Sequence, residues 1–312
     1  MTKRHDQCDM TPLLPQHHAM LAPYFNGQAN PLCGYSLAAL IIWKTHVYYP
    51  AFVVDKEDII IARLFPSSPD KDYLILPVPN GNAWPPERIA ALCRKHGIPR
   101  ISFVHEAYLD SWGNDAITKL FTIEEQTDYE DYVYRKEDLA ELRGNKFSKK
   151  RNLINQFLRE YVEKGRVKVE AITKTNKDEC KALLAHWWDL KPAEAQADEE
   201  VLGEKVACTY GLDLIGSLEG LRGILLRVDG TVKAFGMATD LTDEMADFNF
   251  EKADPDIKGL YQFFDRQCAR MLFPDTPLIN KECDMDDPGL RHAKRSYHPH
   301  LRFKSHTLEL KA

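Results

Sequence analysis

Residues 224–250 constrain this 312-residue chain more than any other stretch. Two apolar runs, Ile224–Val228 and Val232–Thr239, flank Asp229-Gly230. That dipeptide supplies the two left-handed positions a tight hairpin turn requires. A third strand, Met245–Phe250, follows Thr242-Asp243. Polar residues 251–258 then lead to Gly259. Beyond it Tyr261, Phe264, Cys268, Met271 and Leu272 recur at helical spacing, and Pro274 and Pro277 end the helix. Leu278–Cys283 reads as a short strand. Pro288–Ser296 reads as a helix opened by proline, and His300–Leu310 as a final strand. Upstream, Val167–Thr173 alternates as a strand. Asn176 and Glu179 have capping-box spacing before a helix over Cys180–Leu190, and Glu199–Leu214 reads as a second helix.

The order β-α-α-β-β-β-α-β-α-β is that of an acyltransferase domain of the GNAT type. The first half repeats it in weaker form. Pro15–Tyr24 reads as a helix, and Val47–Val54 turns through Asp55–Asp58 into Ile59–Leu64. Tyr73–Val78, the helix Pro86–His96, the strand Arg100–His105, a short helix near Ala107–Trp112 and the strand run Phe121–Tyr134 complete the order. The expected fold class is α+β (mixed α/β): two tandem GNAT-like domains, each a mostly antiparallel central sheet flanked by helices. The expected boundary separates 1–145 from 146–312, with the second domain carrying the site.

Composition narrows the functional classes. Lys plus Arg number 41 against 47 Asp plus Glu, a net charge of -6, so an overall basic grip on DNA is not expected. Local basic segments remain at 146–166 and 291–306. No apolar run approaches the ~20 residues of a membrane span. The longest, near Leu37–Trp43, stops at Lys44. The N-terminus MTKRHDQCDM has no apolar core of a secretion signal, so a cytoplasmic location is expected. Cysteines 8, 33, 93, 180, 208, 268 and 283 are odd in number and lack CxxC spacing, and the 11 His show no ligand spacing. Neither a metal site nor a disulfide framework is expected. No GxSxG or GxxxxGK[ST] run occurs, which leaves serine hydrolases of that type and P-loop enzymes unsupported.

Three constellations can carry chemistry. In the first, Ser148 caps a helix whose first turn holds Lys149, Lys150 and Arg151, next to Asn152. Cations are unfavourable at a helix N-terminus unless an anion is bound there, so a phosphate site is expected. The bland reading is a solvated charged helix end. In the second, Glu251, Lys252 and Asp254 precede Gly259 and Tyr261. Gly259 lets backbone approach a ligand, amides near it can polarise a carbonyl, and Glu251 or Asp254 can act as base. The bland reading is a loop with a turn glycine. In the third, Asn280, Glu282 and Asp284 end a strand, and a helix then displays Arg291, Lys294 and Arg295, with Tyr297 just after it. There the carboxylates suit an ammonium group and the cations a phosphate; the alternative is a plain acidic turn. Trp187 and Trp188 read as core or pocket wall.

The stretches GNKFSKKRNLINQF, FNFEKAD with KGLYQFF, and LINKECDMDDPGLRHAKRSYHP resemble an uncharacterised bacterial family related to the C-terminal domain of phosphatidylglycerol lysyltransferase. The resemblance implies an aminoacyl-transferring cleft. Glu251, Glu282, Asp284 and Tyr261 would be catalytic. Lys149, Lys150, Arg151, Asn152, Gly259, Arg291 and Lys294 would hold donor phosphates. Asn280, Lys252 and Tyr297 would position substrate. No tightly bound cofactor is implied: the donor would be aminoacyl-tRNA or a coenzyme A thioester, and the acceptor an amine or hydroxyl. A monomer or homodimer is expected. Two alternatives stay open, an acetyl-coenzyme A-dependent N-acetyltransferase of a small amine and a non-catalytic RNA- or nucleotide-binding module.

Overall fold

Asp229 and Gly230 adopt φ of 50° and 80°, so the Asp-Gly turn forms as its chemistry requires. The hairpin belongs to a computed structural model that describes residues 9–312; the charged N-terminal residues and Cys8 lie outside them. The first half contains β1 (Thr11–Pro12), α1 (His18–Phe25), α2 (Leu37–Ile42), β2 (Tyr49–Asp55), β3 (Asp58–Leu64), β4 (Tyr73–Leu74) and α3 (Pro86–His96). It continues with β5 (Arg100–His105), α4 (Glu106–Trp112), α5 (Asn114–Ile117), β6 (Phe121–Glu125), β7 (Asp131–Arg135) and α6 (Lys136–Glu141). The second half contains α7 (Ser148–Phe157), β8 (Val167–Ala171), α8 (Lys177–Asp189), α9 (Ala193–Gln196), α10 (Glu199–Leu214), β9 (Arg222–Val228) and β10 (Thr231–Thr242). Then come β11 (Met245–Ala253), α11 (Leu260–Met271), β12 (Leu278–Asn280), α12 (Pro288–Arg295), β13 (Leu301–Phe303) and β14 (Ser305–Leu310).

Two seven-stranded sheets result, ordered β1-β2-β3-β4-β5-β14-β6 and β8-β9-β10-β11-β12-β7-β13. Each runs antiparallel through its first four strands. A helix, α3 or α11, then returns the chain parallel to the fourth strand, as β4 with β5 and β11 with β12. The fold is therefore mixed α/β with two GNAT-like sheets in tandem. The sixth place in each sheet is filled from the other half. β14 pairs with β5 and β6, and β7 pairs with β12 and β13. The sheets thus do not divide at 145: 131–135 belongs with the second sheet and 305–310 with the first. Phe121–Tyr134 and His300–Leu310 each split into two strands lying in different sheets.

Helix α2 explains why the apolar run stops where it does. All six of its residues are buried, and the Ser36 hydroxyl caps it by accepting from the Ala39 amide at 3.3 Å. The same hydroxyl donates to Thr239 of β10 at 2.9 Å, tying the halves together. One continuous core joins the first sheet to α8, α10 and the near faces of β10 and β11. A second core lies on the opposite face of the second sheet, beneath α6, α7 and α11.

Candidate active site in a shared cavity

β11 and β12 pair from Met245–Leu278 to Asp247–Asn280 and then part. Between Met237 and Thr239 of β10 the partners on β11 step from Phe250 to Asp247, so β11 carries an extra residue there. Such a bulge reverses which face later side chains take. Asp247 accordingly lies on the side of the first half, whereas Glu251 faces α11.

Side chains span the gap between the parted strands. Asn249 donates to Glu282 Oε1 at 3.2 Å and to Asp247 at 2.8 Å. On the α11 side, Lys281 donates to Glu251 at 3.1 Å and to Asp265 at 2.8 Å. Glu251 Oε1, Asp247 Oδ1 and Asn249 Oδ1 are buried without a hydrogen-bond donor among the described residues. Burial pushes the Glu251 carboxyl up to about 7 against the pull of Lys281. It pushes Glu282 up to about 8, opposed by Lys294. Asp247 rises well above the usual carboxylate range, first from burial and then from the charges of Glu282 and Asp131.

Glu282 is held by its backbone. Its φ is 58°, a region that non-glycine residues rarely occupy. Asn280, fully buried, accepts from the Glu282 amide at 2.7 Å and donates to the Pro31 carbonyl at 3.0 Å and Asp131 at 2.8 Å. The Lys294 ammonium donates to the carbonyls of Lys281, Glu282 and Cys283 at 2.5, 3.1 and 2.5 Å. Arg291 grips Asp284 through two bonds of 3.0 Å and reaches Asp286 at 2.7 Å, while the Tyr132 hydroxyl donates to Asp284 at 2.7 Å. Strain of this kind persists only where surrounding contacts over-determine it.

Glu282 lines a cavity of about 330 Å³ between the halves. From the second half come Glu199, Gly203, Cys283 and Met285. The first half supplies Cys33, Trp43, Tyr48, Arg63, Phe65, Lys71, Tyr73, Phe103 and Tyr129. The volume falls at the small end for ligand pockets. Behind the wall, Asp131 accepts from the Cys33 amide at 2.8 Å. Among the described residues no cluster of His, Cys, Asp and Glu could hold a metal, and no helix is long and apolar enough to cross a membrane. The six described cysteines are all unpaired.

The model of the family "Phosphatidylglycerol lysyltransferase, C-terminal" matches residues 31–305. The chain belongs to that family. A conserved protein of unknown function from Bacteroides thetaiotaomicron is 25% identical, with a TM-score of 0.86 over 97% of this chain and 100% of that one. The C-terminal domain of a putative lysylphosphatidylglycerol synthetase from Agrobacterium fabrum is 13% identical, with a TM-score of 0.59 over 95% and 92%. No curated protein matches.

Within this member of the lysyltransferase C-terminal family, the residues expected from sequence take distinct places. Glu282 lines the cavity; Glu251 lies on the α11 side of the same strand gap. Asn280, Asp284, Arg291 and Lys294 hold the Glu282 loop, so the charges expected to grip phosphate are taken up by carbonyls and carboxylates of the protein. Lys252 is buried, donating to Glu204 at 2.6 Å beneath the Trp187 ring. Tyr261 lies against the Ala253 amide and the Trp187 indole, and Tyr297 against Asp265, with the Lys150 ammonium 4.0 Å over its ring. Asp254 pairs with Lys233 at 2.9 Å.

The residues expected to grip phosphate at α7 and α11 take separate roles. Ser148 is the first helical residue rather than the cap, and no side chain caps α7. Arg151 donates to the carbonyls of Leu142 and Gly144 at 2.5 and 2.6 Å, tethering α7 to the end of α6. Lys149 and Asn152 are exposed. A methyl group on Gly259 would stand 2.2 Å from the Leu153 carbonyl oxygen, so this glycine serves close packing of α11 on α7. Asp131, Asp247 and Arg63 escaped the sequence reading. Asp247 had a usable signal, a carboxylate between the apolar Ala246 and Phe248 of the strand MADFNF.

Proposed function

We propose that the protein is an acyl- or aminoacyl-transferase whose reaction takes place in the shared cavity, with Glu282 as general base. The observation that carries this reading is a carboxyl raised to about 8, set in left-handed backbone on the wall of a cavity. A base of that strength is matched to an amine acceptor near neutral pH. The acceptor nitrogen attacks the activated carbonyl. A C–N bond forms, the C–O bond of an ester or the C–S bond of a thioester breaks, and the acceptor proton passes to Glu282. Glu282 hands that proton to the leaving oxygen or sulfur, which departs as an alcohol or a thiol. Glu199, on the cavity lining beside Glu282, is placed to draw a cationic amine toward it before it is deprotonated.

Membership of the phosphatidylglycerol lysyltransferase C-terminal family supports an aminoacyl donor, for which aminoacyl-tRNA is our choice. The packing of Gly259 against α7 speaks against a pyrophosphate grip at that glycine, and so against coenzyme A in that place. Transfer is tested with radiolabelled aminoacyl-tRNA and with acetyl-coenzyme A, each offered a panel of amines. Glu282→Gln should lower the rate by 100-fold or more with the productive donor, within the range of a lost general base. Glu251→Gln should lower it by less than tenfold. Equal rates for wild type and Glu282→Gln would remove Glu282 from the mechanism.

A further inference from the structure

Among the described residues Arg63 has no part in holding the Glu282 loop and enters no ion pair. It leaves β3 of the first sheet and enters the cavity wall. Its guanidinium lies 4.4 Å from the Tyr48 ring centroid and 5.5 Å from that of Tyr73. The ionisable groups that act on it most are Tyr48, Tyr73, Cys33 and Tyr129, and burial pushes the Tyr73 hydroxyl and the Cys33 thiol up. The Tyr48 and Tyr73 rings relieve part of the cost of withdrawing this cation from water and Tyr73 also hydrogen-bonds it, but no carboxylate among the described residues pairs with it. Lys71 lines the same cavity. The second half contributes carboxyl groups there, Glu282 and Glu199. The cavity therefore sets cations on one side against carboxyl groups on the other, with aromatic rings in the lining.

We infer that Arg63 seats a carboxylate, so that the acceptor is a small amine that also bears a carboxylate and presents its amine to Glu282. This rests on the transferase reading above. The planar fork of a guanidinium matches a planar carboxylate through two parallel bonds. One fork and one lysine make a thin donor set for a dianionic phosphate. The aromatic lining suits an apolar body between the two charged ends.

The test measures binding by calorimetry to the full chain with four probes: L-phenylalanine, 3-phenylpropionate, L-phenylalaninamide and phenyl phosphate. The two carboxylates should bind at least tenfold tighter than the amide. Arg63→Met should erase that preference, and Arg63→Lys, which keeps the charge and loses the fork, should retain only part of it. An unchanged melting temperature establishes that each variant is folded, and the probe comparison within wild type stands without any variant. Equal binding of amide and carboxylates, a preference that survives in Arg63→Met, or tighter binding of phenyl phosphate would overturn the inference. If transfer falls with Glu282→Gln while the carboxylate preference is absent, this proposal fails and the transferase reading stands. If the preference depends on Arg63 while Glu282→Gln transfers at the wild-type rate, the seat stands and the transferase reading fails.

Discussion

Glu282 concentrates three physical conditions in one residue: left-handed backbone, withdrawal from water, and neighbouring carboxylates. Each disfavours the ionised form or the conformation that holds it. The consequence for stability has a definite sign. The carboxyl is raised from an unfolded value near 4.3 to about 8 in the fold. Its contribution to stability is therefore fully present below the unfolded pKa and is lost as pH rises through the folded one. Glu282→Gln, which stays neutral, should melt higher than wild type at pH 8, by an amount on the order of 1–3 kcal/mol, and should show little gain at pH 4. Thermal melts at the two pH values measure this; a gain at pH 4 as large as at pH 8 would show that ionisation is not the cause. Lys294 acts by a different route. Lys294→Met would leave the carbonyls of Lys281, Glu282 and Cys283 without their donor, at a cost on the order of 2–3 kcal/mol in denaturant unfolding.

Among the elements, α11 shows how a local signal can be right in structure and wrong in purpose. Gly259 marks the start of the helix, as its position before the periodic run suggests, and takes φ of 83°. The reason for glycine is the backbone of α7, which lies too close for any side chain. Gly259→Ala should destabilise the protein by about 2–4 kcal/mol through this clash and the positive φ. Chemical denaturation checks it; a loss below 1 kcal/mol would mean that α7 yields. Periodicity made the helices at 86–96, 199–214 and 260–271 and the Asp-Gly hairpin legible, because those signals are local. β7 and β14 were not legible as exchanged strands, because alternation tells a strand's two faces apart and says nothing about its neighbour in the sheet. The site was legible by the same measure. Glu251 stands in the polar run that ends one apolar strand, and Asn280 and Glu282 in the run that ends the next. Arg63, a lone charge in an apolar strand, and Asp131, at the end of an acidic stretch, are separated from those runs by more than a hundred residues, and only the packing of the two sheets brings them near.

At the scale of the whole molecule, the exchange of β7 and β14 makes each half depend on the other. Without β7 the second sheet loses the strand between β12 and β13; without β14 the first loses the strand between β5 and β6. Fragments 1–145 and 146–312 should therefore fail to unfold cooperatively when separate and should recover a cooperative transition when mixed. Circular dichroism melts of each fragment test this, and a two-state melt from either one alone would contradict it. The cavity follows from the same arrangement, since Glu282 and Arg63 come from different sheets and meet only in the joined molecule. The most direct test of the transfer site is the pH dependence of kcat with the productive donor, for wild type and Glu282→Gln. The account predicts that wild type gains activity as pH rises through about 8, where Glu282 becomes a base. In Glu282→Gln that limb should vanish from a much reduced rate. An unaltered limb and rate in the variant would contradict the account.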